Sequence, residues 1–420
     1  MSEKDPMTIE ERRKYLYKMW ERYRNANRKE KSKLLDEMET VTDMHRKAII
    51  RILTGRLSRK KRSRERGPIY EAAVADAVRV IARSLDYPCA ERLKPILGWM
   101  AKHLMKHNEL YLEEETLKKL EGISISTLKR MLKKIGRPDQ KLAYRQPPRA
   151  KRNHLRNAYP MRRIPYDIPD PGHFEIDLVV HSGEDSSGEF IHTIQMVDVN
   201  TGWSEIEAVY GRSYKAMRDG FQTILKRLPF PIHEIHPDNG SEFFNQHLLR
   251  FWKQNIVHLE LSRSRPYHKN DNRFVEENNH SLVRAYVGHG RLDTLEQLNI
   301  LRKLYQALWL YHNFFQPVLR TREKVFSDPL HYKRVFDTAM TPFDRLRQRI
   351  NLPPQILTTL LHLREQTNPL HLRDQIDELI NQLWLTHPSN NKIPVNILYT
   401  LRKEADISVT FSFEPSITLR

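Results

Sequence analysis

The spacing of apolar residues changes from helical to strand-like near Gly172, and that change most constrains the fold of this chain. Before it, apolar residues recur every three or four positions, the period of amphipathic helices. After it, residues 173–181, 190–199 and 203–210 have the composition of strands, and Asn200-Thr201-Gly202 forms a turn between the last two. With 420 residues, the chain also exceeds one ordinary domain. The sequence therefore predicts an all-helical part followed by an α/β part.

The α/β part continues as alternating helices and strands. We predict helices over 214–228 and 243–255, strands over 232–236 and 257–261, and two further helices over 274–287 and 295–315. A meander followed by alternating elements is typical of a mixed sheet, here of five strands, with helices on both faces. Beyond Pro317 the pattern is again helical, over 343–350, 355–365 and 370–385. We thus expect a multidomain protein with a mainly helical C-terminal region.

The helical N-terminal part contains two candidate helix-turn-helix modules. The first begins with a capping box, Thr8 and Glu11, and its last helix presents His45, Arg46, Lys47 and Arg51. The second has a helix over 113–120, a turn at Glu121-Gly122, and a helix capped by Ser124 or Ser126 that carries Thr127, Lys129, Arg130 and Lys133. Helices with an exposed polar face that bind nothing would give the same pattern. These basic residues are our candidates for DNA contacts.

Charge is distributed unevenly between the two parts. The formal net charge is +19; residues 1–170 hold 42 Lys and Arg against 23 Asp and Glu, and the remaining residues are balanced. A basic half joined to a neutral half is typical of a polyanion-binding module linked to another function, and nucleic acid is the commonest polyanion. A basic surface kept for solubility is the alternative interpretation.

Two basic segments separate the predicted modules. Residues 56–66 contain seven basic residues and one acid, and residues 137–165 contain nine basic residues, one acid and five prolines. Such segments do not form a core, and we expect both to follow a DNA backbone. Their candidate contacts are Arg59, Lys60, Lys61, Arg62, Arg149, Lys151 and Arg152.

These patterns give six predicted regions. They are a first helix-turn-helix module (1–55), a basic linker (56–68), a helical module with the second helix-turn-helix (69–136), a basic proline-rich linker (137–171), the α/β core (172–330) and a helical C-terminal region with its tail (331–420).

Several classes of protein are excluded by composition. Cys89 is the single cysteine, so a disulfide framework and a zinc site with two thiolates are both impossible. The sequence shows no secretory signal and no apolar run long enough for a membrane span. We expect a cytoplasmic, nucleoid-associated prokaryotic protein with no membrane partner.

Three carboxylates occupy positions where a metal site could form. Asp177 lies among apolar residues in the first strand, where an uncompensated charge is costly. Asp238 follows the fourth strand in a turn at the sheet edge, and Glu276 lies in the first turn of the helix predicted over 274–287. Mg²⁺ prefers oxygen ligands, and three converging carboxylates can hold the two ions of an in-line phosphoryl transfer.

These residues lie in motifs that resemble the catalytic core of the retroviral integrase superfamily and its bacterial insertion-sequence transposases. The motifs are an Asp inside an early strand, here Asp177, with His236-Pro-Asp-Asn-Gly-Ser-Glu-Phe243, Val275-Glu276-x-x-Asn279, Tyr267-His-Lys-Asn-Asp-Asn272 and Tyr311-His-Asn-Phe-Phe-Gln-Pro317. The resemblance covers about residues 172–320 and is nearest to the heterogeneous insertion-sequence group called ISNCY. It implies a ribonuclease-H-like core, a DDE-type site of Asp177, Asp238 and Glu276, and two Mg²⁺ or Mn²⁺ ions.

Each site residue has an alternative. Glu175 lies on the same strand face as Asp177, and Glu277 is adjacent to Glu276. The Asn279 match favours Glu276. His236 and Asn239 either touch substrate or order the turn, and Asn279 is a further secondary candidate. The loop that contains Arg263, Arg265, Tyr267 and Lys269 is a candidate grip on the DNA end.

The function predicted from these features is that of a DNA transposase. It would bind the terminal inverted repeats of a mobile element, hydrolyse the end phosphodiesters and join the 3′-hydroxyls to double-stranded target DNA. Joining two ends implies a homodimer or larger assembly, for which the C-terminal helices are our candidate contact. The alternatives are a catalytically silent or repurposed DNA-binding protein and a structure-selective nuclease on the same fold.

Overall fold

The computed structural model describes residues 7–55, 70–136, 160–165, 168–238, 243–265, 271–326, 332–386 and 396–402. The chain divides into two compact units, Met1–Ile69 and Tyr70–Arg420. Among the described residues, no helix combines the length and apolar character needed to cross a membrane.

The first unit is a bundle of three helices. They are α1 (Ile9–Asn25), α2 (Arg28–Thr42) and α3 (Arg46–Thr54). The predicted capping box at Thr8 and Glu11 is present, and a second one joins Asn27 and Glu30. Leu16, Met38 and Ile49, one from each helix, are fully buried in a common core. The helices match those predicted, whereas their assignment as a helix-turn-helix stays a prediction.

The second unit begins with a helical part. Its elements are α4 (Ala72–Ser84), α5 (Ala90–Leu93), a 3-10 turn (Lys94–Ile96), α6 (Leu97–Lys106), α7 (Glu114–Glu121) and α8 (Ile125–Ile135). Ser124, the first of the two caps considered, accepts a hydrogen bond from the Thr127 amide. The buried apolar residues of this part belong to the same core as those of the sheet.

The sheet has five strands in the order β3-β2-β1-β4-β5. They are β1 (His173–Val180), β2 (Ile191–Asp198), β3 (Ser204–Tyr210), β4 (Glu234–Pro237) and β5 (Glu260–Leu261). The pairs β1–β2 and β2–β3 are antiparallel, and β1–β4 and β4–β5 are parallel. The predicted mixed five-stranded sheet is therefore confirmed, and its architecture is compatible with a ribonuclease-H-like core.

Helices cover both faces of this sheet. Its helices are α9 (Tyr214–Arg227), α10 (Gln246–Asn255), α11 (Arg273–Asn278), a π-helical segment (Asn279–Arg284), α12 (Ala285–Val287) and α13 (Leu295–Phe314). Every residue of β2 and β3 is buried, which requires covered faces on both sides. Trp203, Trp309 and Tyr311 fill this core.

The C-terminal region contains two strands that the sequence did not predict. The strands β6 (Thr321–Phe326) and β7 (Tyr332–Phe336) form an antiparallel pair. The predicted helices follow as α14 (Pro342–Arg349), α15 (Pro354–Gln366) and α16 (Pro369–Leu385). The α16 helix packs on α13 and α4.

A short segment near the C-terminus contributes an ion pair to the sheet. Arg402 donates to both carboxylate oxygens of Glu207 in β3, at 2.8 and 3.1 Å. Both side chains are almost inaccessible, at 5% and 1% exposure. The pairing joins residues 195 positions apart, and no pattern in the tail sequence indicated it.

Candidate active site

Asp177 and Asp238 lie side by side on neighbouring strands. In the parallel pair of β1 and β4, Glu175 is opposite His236 and Ile176 is opposite Pro237. Asp177 is the next residue of β1, Asp238 is the first residue after β4, and both are partly exposed. Because paired strands lie about 4.8 Å apart, this register brings the two carboxylates to the same point of the sheet.

The α11 helix and its π-helical extension connect the third carboxylate to this point. The Asn279 side-chain amide donates to Asp177 Oδ2, while Oδ1 accepts from the Leu178 amide at 2.8 Å. Glu276 precedes Asn279 by three residues and is exposed. Since residues three apart are neighbours on a helix surface, we expect Glu276 on the side of α11 that Asn279 extends.

Glu175 and Asp177 are two residues apart and therefore lie on the same face of β1, but their environments differ. The Glu175 side chain is fully buried, and Oε2 accepts from the Phe274 and Val275 amides at 2.7 and 3.1 Å. Burial raises its pKa to about 7, and Arg273 and the two amides oppose that rise. Glu175 thus caps α11, which has no side-chain cap at Asn272. This role distinguishes it from the exposed candidate ligands.

His236 orders the end of β4. It is fully buried, and its ring nitrogens bond with the Ser262 hydroxyl at 2.6 Å and the Ser264 hydroxyl at 3.3 Å. Burial lowers its pKa to about 4. Of the two roles considered for His236, this geometry fits ordering of the turn; Asn239 lies outside the described residues.

The donor set suits a hard divalent cation, although the described residues show no ready-made site. Asp177, Asp238 and Glu276 supply carboxylate oxygens, which Mg²⁺ and Mn²⁺ accept. In the part of the chain that the structure describes, no three His, Cys, Asp or Glu side chains are close enough together to hold a metal ion. Two of the carboxylates are adjacent by strand register, and the third is on an exposed helical turn.

The candidate DNA contacts of α3 differ in how they are engaged. His45 caps the helix, because its Nδ1 accepts from the Lys47 amide at 3.2 Å. Arg46 pairs with Asp36 and donates to the Ser32 hydroxyl. The side chains of Lys47 and Arg51 are exposed.

The α8 helix presents a second basic surface. Lys129, Arg130 and Lys133 are exposed. Arg130 donates to the Thr127 hydroxyl at 3.2 Å, and Lys129 Nζ is 3.9 Å from a Glu91 carboxylate oxygen.

The basic loop before α11 is held partly by its own chain. Arg263 is buried at 5% exposure, and its amide donates to the Pro160 carbonyl. Arg265 makes a two-pronged pair with buried Asp271, with both distances at 2.8 Å. Outside the described residues lie Arg59, Lys60, Lys61, Arg62, Arg149, Lys151, Arg152, Tyr267 and Lys269.

Comparison with protein-family models gives no match. Among curated proteins, the "Uncharacterized protein y4rM" of Sinorhizobium fredii (strain NBRC 101917 / NGR234) is 34% identical over 308 residues, which cover 72% of this chain and 86% of y4rM. The chain belongs to the y4rM family. Because y4rM is similar over most of its own length, the relationship includes more than a single motif.

Among solved structures, the catalytic core domain of BIV integrase aligns with part of this member of the y4rM family. The alignment covers 42% of this chain and 94% of the integrase domain, at 14% sequence identity and a TM-score of 0.28. At that score the likeness carries no argument, so the functional interpretation depends on the site itself.

Proposed function

We propose that this chain is a DNA transposase of the DDE type, a metal-dependent polynucleotidyl transferase. The observation that carries the proposal is the joint placement of Asp177, Asp238 and the Glu276 helix. The parallel register of β1 and β4 ends at Ile176 and Pro237, one residue before Asp177 and Asp238, and the Asn279 amide donates to Asp177. Acidic residues that follow one another at the ends of neighbouring parallel strands favour phosphoryl transfer over a purely structural role.

In the proposed mechanism, Asp177, Asp238 and Glu276 would hold two Mg²⁺ or Mn²⁺ ions. Such ions, when bound, activate the attacking oxygen and stabilise the leaving oxygen of an in-line displacement. Asn279 holds Asp177 in position through its side-chain amide. Glu175 fixes the start of the helix that carries Glu276, and His236 fixes the strand end that carries Asp238.

Two successive displacements would use this site. In the first, water attacks the end phosphodiester and releases a DNA 3′-hydroxyl. In the second, that hydroxyl attacks a phosphodiester of the target, so the donor strand is joined and a target 3′-hydroxyl leaves. The nucleophiles are water and DNA, and no covalent link between protein and DNA is needed.

The N-terminal helices would recognise the DNA ends. Their basic surfaces on α3 and α8, together with the basic segments 56–66 and 137–165, give this part the charge excess that phosphate binding requires. Because two element ends are joined to one target, the active form would be a homodimer or larger assembly, and the C-terminal helices remain our candidate contact.

A strand-transfer assay tests this proposal. Full-length protein is mixed with labelled duplexes that carry the ends of its own element, a plasmid target and Mg²⁺ or Mn²⁺. We expect joined products from the wild type, and at least about 100-fold less from Asp238→Asn and Glu276→Gln, because each loses a carboxylate. Glu296→Gln is the matched control, since Glu296 is also an exposed glutamate in the first turn of a helix.

The other outcomes separate the alternatives. Cleavage without joining would indicate a structure-selective nuclease. End binding with no metal-dependent product would indicate a repurposed DNA-binding protein. Full activity in Glu276→Gln would remove Glu276 from the site.

A further inference from the structure

A deep cleft of about 910 Å³ lies beside the candidate active site. Its walls come from the segment between α4 and α5, from α11 with its π-helical extension, and from the β6–β7 pair. Glu277 and Asn278 line the cleft, whereas their neighbours Glu276 and Asn279 belong to the candidate active site. The two features therefore share one helix, and a helix with its side chains is only about 10–12 Å across.

The charge of this cleft is strongly positive. Five arginines line it, against two carboxylates, Asp86 and Glu277. Asp86 is also 3.7 Å from Arg373, so part of its charge is already engaged. The arginines are Arg92, Arg163, Arg273, Arg320 and Arg334. An anionic ligand would therefore be attracted to it.

Two of these arginines are partly buried and donate to backbone carbonyls. The Arg92 Nε donates to the Pro317 carbonyl at 2.5 Å, and an Arg320 Nη donates to the Asp198 carbonyl at 2.8 Å. Among the described residues, Arg320 Nε is buried with no hydrogen-bond partner, and the carboxylates of Asp198, Glu175 and Glu277 act on its guanidinium through charge alone. Burial lowers the pKa of both groups, that of Arg320 to about 10. Because a buried N–H donor without an acceptor is costly, and because burial outweighs the favourable charges around both guanidinium groups, the arrangement indicates an anionic occupant.

Aromatic residues accompany the arginines. Phe274 lies between Arg273 and Arg320, with each guanidinium 4.2 Å from the centre of its ring. Phe336, at the rim, is 48% exposed, and Tyr286 also lines the cleft. Guanidinium groups that hold phosphates and aromatic rings that stack on bases are the two components of sites for single-stranded nucleic acid.

We propose that this cleft binds a single, unpaired DNA strand that continues from the end being processed. Its arginines would contact successive phosphates, and Phe336 would stack on a base. The cleft volume is within the range of about 300–1,000 Å³ seen for ligand pockets, which suits a short single strand. The inference rests on the proposed function, because that function supplies the DNA end.

Fluorescence anisotropy on the full-length chain tests this inference. The probes are one duplex DNA end that is blunt, and the same end with a six-nucleotide unpaired extension on one strand or the other. Binding is measured in EDTA, so that no catalysis is needed. For the wild type, we expect at least one of the extensions to bind about tenfold more tightly than the blunt end.

Variants of the rim arginines locate the effect. Arg163→Gln combined with Arg334→Gln should reduce the gain from the extension to less than about threefold, with blunt-end affinity little changed. Arg79→Gln combined with Arg349→Gln removes the same charge from exposed positions outside the cleft, and should keep the gain. Phe336→Ala should lose most of any gain that comes from stacking.

Two results would overturn the inference: equal binding of blunt and extended ends by the wild type, or a full gain in the double cleft variant. Both results come from binding measurements and do not depend on strand-transfer activity. Strand transfer without an extension effect would overturn only the cleft inference, whereas an extension effect without strand transfer would count against only the proposed function.

Discussion

Two acidic residues of β1, Glu175 and Asp177, show how much a single side chain's surroundings decide. Both alternate onto the same face of the strand, and either could be proposed as a metal ligand from sequence. Glu175 is fully buried and accepts hydrogen bonds from the first amides of α11. Asp177 is partly exposed and accepts a hydrogen bond from the Asn279 side-chain amide. The difference arises from a helix that begins almost 100 residues later, which is why alternation alone could not reveal it.

Replacing Glu175 should loosen the start of α11. In Glu175→Ala, the amides of Phe274 and Val275 lose their acceptor, and we expect a loss of about 1–3 kcal/mol in unfolding free energy. Hydrogen exchange at these two amides should accelerate, and DNA joining should fall because Glu276 is held less firmly.

The conservative variant provides the control for that experiment. Glu175→Gln keeps one carbonyl oxygen as an acceptor, so its effects on exchange and joining should be smaller. If the exchange of both amides is unchanged in Glu175→Ala, then the carboxylate does not cap the helix.

At the scale of elements, uncharged polar groups near the end of α13 hydrogen-bond to the start of β3 and the turn before it. The Asn313 side chain bonds both the amide and the carbonyl of Ser204 at 2.9 Å, and His312 Nε2 donates to the Gly202 carbonyl at 3.2 Å. Burial, together with the nearby charges of Arg92 and Arg320, lowers the pKa of His312 to about 4. The ring is therefore uncharged at neutral pH.

This environment predicts acid sensitivity. An unfolded histidine takes up a proton near pH 6.5, whereas the folded one resists until about pH 4, so stability is full above pH 6.5 and falls as the pH drops between these values. The difference between these two pKa values corresponds to about 3 kcal/mol of unfolding free energy. Denaturant unfolding of His312→Gln should show a smaller loss between pH 7 and pH 4.5 than the wild type. His362→Gln, at an exposed position, should lose as much unfolding free energy between pH 7 and pH 4.5 as the wild type. If His312→Gln also loses as much as the wild type, His312 is not the source of the acid sensitivity.

Helices and strands were predictable from the sequence wherever a buried face requires apolar residues at regular spacing. The strands β1 to β3 and the helices α9, α13 and α16 lie close to their predicted bounds, because each buries a continuous apolar face. The β6–β7 pair was missed because Thr321-Arg-Glu-Lys-Val-Phe326 and Tyr332-Lys-Arg-Val-Phe336 are highly charged and carry little apolar alternation. The π-helical turn at Asn279–Arg284 was also invisible, since it has no distinct residue pattern.

The residues of the candidate site stay predictions from sequence motifs, whereas the contacts around them could be described only from the folded chain. The motifs named Asp177, Asp238, Glu276 and Asn279, and the register of β1 and β4 follows from strand pairing. The capping role of Glu175 and the arginine-lined cleft depend on elements far apart in sequence, which only the folded chain brings together.

For the whole molecule, the separation of charge predicts a strong dependence of DNA binding on salt. If the basic part contacts six phosphates, affinity should fall about 1,000-fold between 50 and 200 mM salt. Affinities for a duplex end are measured over a series of salt concentrations, and the logarithm of the affinity plotted against the logarithm of the salt concentration gives a slope. Lys60→Gln with Lys61→Gln should reduce the slope by about 2. Lys253 and Lys303 are exposed and lie in the part of the chain without excess charge. Changing both to Gln should leave the slope unaltered. A slope near zero would exclude phosphate contacts as the main source of affinity.

The ion pair between Arg402 and Glu207 has a consequence for how the protein is made. Ribosomes add about 5–20 residues per second, so Arg402 emerges roughly 10–40 s after Glu207. During that interval β3 can pair with β2, and the Glu207 carboxylate has the Ala208 amide, at 3.2 Å, and later Arg302, at 3.7 Å. We therefore expect this end of β3 to be completed late in synthesis, and a nascent chain halted shortly before Arg402 to leave the Glu207 carboxylate open to solvent.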